Sequence, residues 1–280
     1  MSLKNLLPVL ILLTFILINL GGHVHNTGSS LACPDWPLCH NQFMPEMKGG
    51  VLIEHSHRLL ASLVGFLTLL TVIIARKDRK VSSVAYAALF MVLLQGLLGG
   101  LTVIYKLPPL VSIAHLGLSM IFFCTLIYFH HLLTSNQKIE LPLGLKKFFR
   151  VTLILLYLQI ILGAFIRHMG LGTICGLGYT HSILCKELLL PESLSQSIHM
   201  LHRVLGPVIG LCIILSNILI VKIHKDKFFI LPTISCFIIV IQIALGIMTV
   251  GTALRPVITM LHLGGAALSL AIFWKINLKT

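Results

Sequence analysis

Charge is what this chain has least of. Only 10% of its 280 residues are charged, and just 8 are acidic, whereas a soluble domain carries about 25% charged residues. That shortage leaves too little polar surface for a globule of this size and excludes a water-soluble fold. A cleavage signal is missing too. The first apolar run, Leu6 to Leu20 after Lys4, leads into GGHVHNTG instead of a small-x-small site, so it is expected to remain as a first membrane helix. Zinc-finger cysteine spacing is absent. So are the interrupted mid-membrane helices of a repeat-built transporter, since only Pro207, near the outer end of its apolar run, interrupts one.

Apolar sequence is what the chain has in quantity: 57% hydrophobic residues and a mean hydropathy of +1.00. A membrane span takes about 20 such residues. Eight fit, over 5–23, 51–75, 83–105, 109–132, 148–166, 195–222, 228–251 and 255–274, which predicts an all-α polytopic membrane protein. The net charge of +13 is concentrated in RKDRK (76–80), KKFFR (146–150), KIHKDK (222–227), Lys275 and Lys279. Each of the three runs lies between apolar stretches, where the positive-inside rule puts cytoplasmic loops. They read as topology determinants and not as a nucleic-acid surface. Both termini are then expected in the cytoplasm, with loops 24–50 and 167–194 outside a bacterial cell membrane.

The two halves of the chain resemble each other. EHSHRLLASLVG (54–65) matches HMLHRVLGPVIG (199–210), LLQGLLGGLTV (93–103) matches VIQIALGIMTV (240–250), and IAHLGLS (113–119) matches MLHLGGA (260–266). With four helices per half, the halves share one orientation, as parallel repeats do. The expected architecture is two tandem pseudo-symmetric four-helix bundles, residues 1–140 and 141–280.

The repeat aligns His57 with His202 and His115 with His262. His57 and His115 each fall about six residues into a span running inward, roughly 9 Å below its outer end at 1.5 Å per residue. Two imidazoles at matched depth on two helices of one bundle suit a haem ligated from both faces. A lone membrane histidine more often bonds a neighbouring helix; four at repeat-related positions favour the haem. Glu54 breaks the repeat, since His199 stands in its place in the second half. It shares a helix face with His57 at i,i+3, where a carboxylate serves proton transfer or stabilises developing positive charge. The structural alternatives are a favourable macrodipole contact at a helix start or an ion pair with Arg58. Arg58, Arg167 and Arg203 are candidates for haem propionates, with interface anchoring an equal alternative. Four cysteines, Cys33, Cys39, Cys175 and Cys185, lie in the two long loops, on the oxidising side where disulfides persist. In ACPDWPLC (32–39) a Cys33–Cys39 bridge would close a short loop, with zinc binding through Asp35 and His40 the competing reading.

TGSSLACPDWPLC (27–39), EHSHR (54–58), the two HLG motifs (115–117 and 262–264) and HMLHR (199–203) together resemble the haem A synthase family. The resemblance covers essentially the whole chain. It implies an oxidoreductase that converts the C8 methyl of haem O to a formyl group through hydroxylated intermediates, with water as the oxygen source, for cytochrome oxidase. His57 and His115 in the first bundle would hold the haem O substrate and haem A product. His202 and His262 in the second would hold a haem b cofactor. Glu54 matches the family's acid, and Cys33 with Cys39, and Cys175 with Cys185, match its paired loop cysteines. Upstream, a protohaem farnesyltransferase (haem O synthase) would supply the substrate; an electron acceptor is required, and assembly as a homo-oligomer is left open. Two departures bear on propionate contacts: His25–Asn26 stand where the family often has Arg, and His55 where an aromatic is expected. The alternative from another class is a dihaem electron carrier of the cytochrome b561 type. Such a carrier would set its haems towards opposite faces, whereas all four histidines here lie towards the outer one.

Overall fold

The computed structural model describes residues 2–135, 139–181, 185, 191–224 and 229–280. Among the described residues there are eight helices long and apolar enough to cross a membrane, and no strand, only isolated bridge residues such as Cys39 with Gln42. They are α1 (Leu3–Asn26), α2 (Gly49–Ala75), α3 (Ser82–Ile104), α4 (Pro109–Thr134), α5 (Leu143–His168), α6 (Leu194–His224), α7 (Ile230–Gly251) and α8 (Pro256–Lys279). The chain is thus a multi-pass membrane protein. Phe66, Phe90 and Phe237 are each more than 60% exposed, as expected of side chains that face hydrocarbon rather than water.

Helix ends run further than apolar length alone predicts. The fifth helix begins at Leu143 rather than near 148, and the eighth continues to Lys279 rather than stopping near 274. Lys146, Lys147 and Arg150 in one, and Lys275 and Lys279 in the other, keep charged heads in water from long aliphatic stems. The helix therefore outlasts the hydrocarbon core. Pro207 lies within α6, which continues through it to His224.

The chain divides into two compact units, Met1–Asn136 and Gln137–Thr280. In the first unit α1 packs on α2, α2 on α3, α3 on α4 and α4 back on α1. That ring leaves α2 and α4 on one diagonal. Leu7, Leu10, Val64, Val72, Phe122 and Phe129 fill its core, and Phe15 of α1 stacks on Phe123 of α4 with ring centroids 6.2 Å apart. In the second unit α5 packs on α6, α6 on α7, α7 on α8 and α8 on α5, which puts α6 and α8 on a diagonal. There Phe149 of α5 stacks on Phe273 of α8 at 5.5 Å. Between helices in lipid, such packing and interhelical hydrogen bonds replace the hydrophobic drive available in water. Two buried hydroxyls are satisfied within their own helices: Thr14 Oγ1 donates to Leu10 O and Thr68 Oγ1 to Val64 O, both at 2.7 Å.

The short links α3–α4 and α7–α8 use one device. Lys106 and Leu107, and Ala253 and Leu254, are left-handed pairs. Leu107 N–H reaches Thr102 O at 2.7 Å and Leu254 N–H reaches Thr249 O at 2.8 Å, the six-to-one bond of a Schellman ending. Pro109 and Pro256 then open the next helices, where a missing N–H costs nothing.

Candidate functional site

Each histidine of interest comes from the loop-bearing or link-bearing end of its helix. His57 follows Gly49 at the head of α2 by the same eight positions as His202 follows Leu194 at the head of α6. His115 follows Pro109, and His262 follows Pro256, by six. In the first unit His57 and His115 therefore stand on the two diagonal helices, near enough for one charge to bear on the other. The same is true of His202 and His262 in the second unit. Nδ1 of His57, His202 and His262 is buried, and each ring meets a backbone carbonyl of the preceding helix, that of Leu17, Gln159 and Gln242 in turn. A neutral imidazole held at one nitrogen offers the other to a metal, so the residues present fit a doubly ligated haem in each unit.

Beside His57 the acid is fixed from two directions. Glu54 is only 3% exposed. Its Oε2 accepts the Cys33 N–H at 2.8 Å, and its Oε1 accepts from Arg58 Nη2 at 2.5 Å. Arg58 also donates to three carbonyls of the first loop: Asp35 O at 2.6 Å, Leu38 O at 2.5 Å and Cys33 O at 3.0 Å. Both terminal guanidinium nitrogens are thus engaged by the protein itself. The ion pair named as an alternative for Glu54 is present, and it is one strand of a tie that joins the helix to the loop above it.

That loop is closed by a disulfide between Cys33 and Cys39, Cα atoms 4.7 Å apart. Its tip is capped by Asp35, whose carboxylate accepts the N–H groups of His40 at 2.7 Å and Asn41 at 2.8 Å. Trp36 lies over Gly100 of α3, where any Cβ would strike the indole, so the loop is laid on the bundle end. Cys33, Cys39 and His55 are the one group of possible metal ligands found close together among the described residues. Joined as a disulfide, the two sulfurs offer no thiolate to zinc. His55 instead pairs its Nε2 with Phe43 O at 2.9 Å.

The Asn41 amide, followed by that of His40, holds the Asp35 carboxyl below its ordinary value, outweighing the opposing effect of burial. A lowered folded value means the carboxylate contributes stability in full above its unfolded pKa and loses it as pH falls through the folded one. Hydrogen exchange at the His40 and Asn41 amides should therefore lose protection on acidification. In Asp35→Asn that pH dependence should vanish, and its persistence would assign the effect to another group.

In the second unit Arg203 Nη1 donates to His181 O at 2.5 Å, again linking a helix start to the loop beside it. That loop is closed by Cys175 and Cys185, Cα atoms 4.3 Å apart. Tyr179 covers Gly251 at the end of α7. His199, in the place of Glu54, is buried. Arg167 occupies the last turn of α5. Two residues that sequence reasoning passed over also touch the histidine helices. Gln95 Nε2 donates to His115 O at 2.9 Å, and Gln159 Nε2 to His202 O at 2.7 Å. Gln95 was visible through its alignment with Gln242; Gln159 has its own signal in QIILG (159–163) beside QIALG (242–246).

Comparison with known proteins bears on this arrangement. Residues 44–274 match the model of the COX15-CtaA family, described as cytochrome oxidase assembly protein. The chain is 29% identical over 263 residues to a heme A synthase of Bacillus pumilus, covering 88% of this chain and 85% of that one. It is 31% identical over 201 residues to a heme A synthase of Exiguobacterium sibiricum, covering 68% and 66%. A heme A synthase of Bacillus cereus is 28% identical over 275 residues, covering 91% and 86%.

Proposed function

Because this chain belongs to the haem A synthase family, the COX15-CtaA cytochrome oxidase assembly proteins, we propose that it oxidises the C8 methyl of haem O to the formyl of haem A. The observation that carries the reading is an asymmetry. Two histidine pairs stand on diagonal helices of two four-helix units, and among the described residues a buried carboxylate accompanies only one of them, at His57. Electron transfer by itself needs no acid beside the haem.

His57 and His115 hold the haem O substrate, and His202 and His262 hold haem b. The overall change is R–CH3 + H2O → R–CHO + 4 H+ + 4 e−, passing through the hydroxymethyl compound in two two-electron stages. Haem b, when bound, supplies a one-electron relay towards an external acceptor. Glu54 does the work that belongs to the chain. Its carboxylate, held by Arg58 and the Cys33 N–H, stabilises positive charge arising at the substrate carbon and takes a proton from the incoming water. Arg58 positions Glu54 and seats the disulfide loop over the site. The loops of residues 24–50 and 167–194 face the outside, both termini face the cytoplasm, and haem O arrives from a membrane farnesyltransferase.

The reading is tested by purifying the protein from cells that make haem O, extracting the bound haems and weighing them. Haem A or hydroxymethyl haem O is the expected product beside haem b. Haem b alone at both sites would point to the b561-type carrier instead.

A further inference from the structure

Every one of the four histidines sets the Cε1 edge of its ring against a glycine on the preceding helix. A Cβ built on Gly21 of α1 would lie 3.0 Å from His57 Cε1, one on Gly163 of α5 3.0 Å from His202 Cε1, and one on Gly246 of α7 3.1 Å from His262 Cε1. At Gly99 of α3 the distance to His115 Cε1 is 3.5 Å, which is ordinary contact. Four positions before three of these glycines stands a glutamine, in QGLLG (95–99), QIILG (159–163) and QIALG (242–246); α1 has LINLG (17–21) instead. Positions i and i+4 share one helix face. Gln95 and Gln159 use that face to bond the backbone carbonyls of His115 and His202. The Gln242 amide reaches α8 at Gly265, three residues after His262, where a side chain would run into it.

We propose that Gln-x-x-x-Gly on α3, α5 and α7, with its reduced form Leu-x-x-x-Gly on α1, is the positioning device for the four haem-ligand histidines. The proposal rests on the ligand role given to those histidines above. The glycine leaves a slot that sets the plane of the imidazole. On α3 and α5 the glutamine donates to the carbonyl of the same histidine, which has a second lone pair to spare, and so holds the carrying helix in rotation and height; on α7 Gln242 does so by lying against α8 at Gly265. The device acts on both degrees of freedom a ligand needs fixed, as partners of ligating histidines do in metal sites generally. At α1 the side-chain donor is missing because Leu17 has no carboxamide; its backbone carbonyl meets the His57 ring, and α2 is tied at its loop end through Arg58.

The second unit gives the cleanest test, since its haem b is not turned over. Full-length Gly163→Ala, Gly246→Ala and Gln159→Leu would be compared with wild type and with Gly65→Ala and Gly144→Ala, two helix glycines whose added methyl meets nothing within 4 Å. The readouts are haem b per chain, the low-spin electron paramagnetic resonance of the oxidised haem, its reduction potential, and thermal unfolding of the haem-free chain. The two slot variants should bind haem b more weakly by about 10-fold or more, the range for losing a partner of a ligating histidine, with a shifted low-spin signal. Gln159→Leu should keep haem b but shift its potential and signal. The control variants should match wild type, and haem-free stability should not follow the spectral change. Should a slot variant fail to accumulate, the other slot variant and Gln159→Leu decide the matter. Wild-type signals in all of the variants that do accumulate would overturn the proposal, as would equal loss in Gly65→Ala or Gly144→Ala. Failure of the ligand assignment itself looks different: the low-spin signal would then survive His202→Ala.

Discussion

Glu54→Gln should end haem A formation while leaving haem b in the second unit. The substitution keeps the shape of the side chain and still offers an oxygen to the Cys33 N–H, so the bond seen at 2.8 Å is retained. What it removes is the charge, and with it both the proton acceptor and the stabilisation of a cationic carbon. Positioned general bases contribute roughly 10²–10⁴-fold, and two successive oxidations at one site would each suffer that loss. Turnover is therefore expected to fall by at least about 100-fold, with haem O or its hydroxymethyl form accumulating on the protein. Mass analysis of extracted haems reads the outcome directly. Wild-type haem A in this variant would sink the catalytic role of Glu54, whatever the fate of the histidines.

Arg58→Leu should be as damaging, for a different reason. The Arg58 and Glu54 side chains are 13% and 5% exposed, so removing the guanidinium strands a buried carboxylate and frees three loop carbonyls at once. Breaking a buried pair on one side typically costs about 3–5 kcal/mol. Thermal unfolding of the detergent-solubilised protein should move down clearly, and haem A should be lost because Glu54 is no longer aimed. Arg58→Lys should fall between, since an ammonium cannot reproduce a planar fork serving four acceptors. The double variant Glu54→Gln, Arg58→Leu should recover part of the stability lost in Arg58→Leu, because no buried charge is then left unpaired. Unchanged unfolding in Arg58→Leu would show that the loop is held by its disulfide and by Trp36 rather than by this arginine.

The disulfide loop shows where sequence reading reaches and where it stops. Cys33 and Cys39 are legible as loop residues on the oxidising side, with a bridge between them and zinc binding as the two readings, and the resemblance favours the bridge. Nothing in the spacing of Cys33, Asp35, Leu38, Glu54 and Arg58 announces that one guanidinium collects three carbonyls and a carboxylate. Those carbonyls are backbone atoms, and backbone atoms carry no residue identity. In the sequence Arg58 is thus a propionate candidate or an interface anchor, and its three loop carbonyls are not foreseen. The glycines escaped notice for a related reason. A glycine opposite a histidine is a feature of two helices at once, and QIILG reads as unremarkable apolar sequence until Gly163 is found against His202.

Residue order and composition alone set the inventory. Eight apolar stretches of membrane length, separated by charge, must become eight helices, because in hydrocarbon each backbone polar group has to bond within its own segment. The same stretches carry His57, His115, His202 and His262 in repeat-related positions and Glu54 in only one of them, and with the TGSSLACPDWPLC loop they resemble the haem A synthase family. The tertiary structure decided what those residues meet. The ring order of helices put α2 across from α4 and α6 across from α8, the loop came down onto Glu54, and glycines on the intervening helices made room for the imidazoles. Such contacts depend on how helix faces rotate and pack against one another. Hydrophobic periodicity constrains that weakly here, since lipid and neighbouring helix are equally apolar surroundings for a leucine.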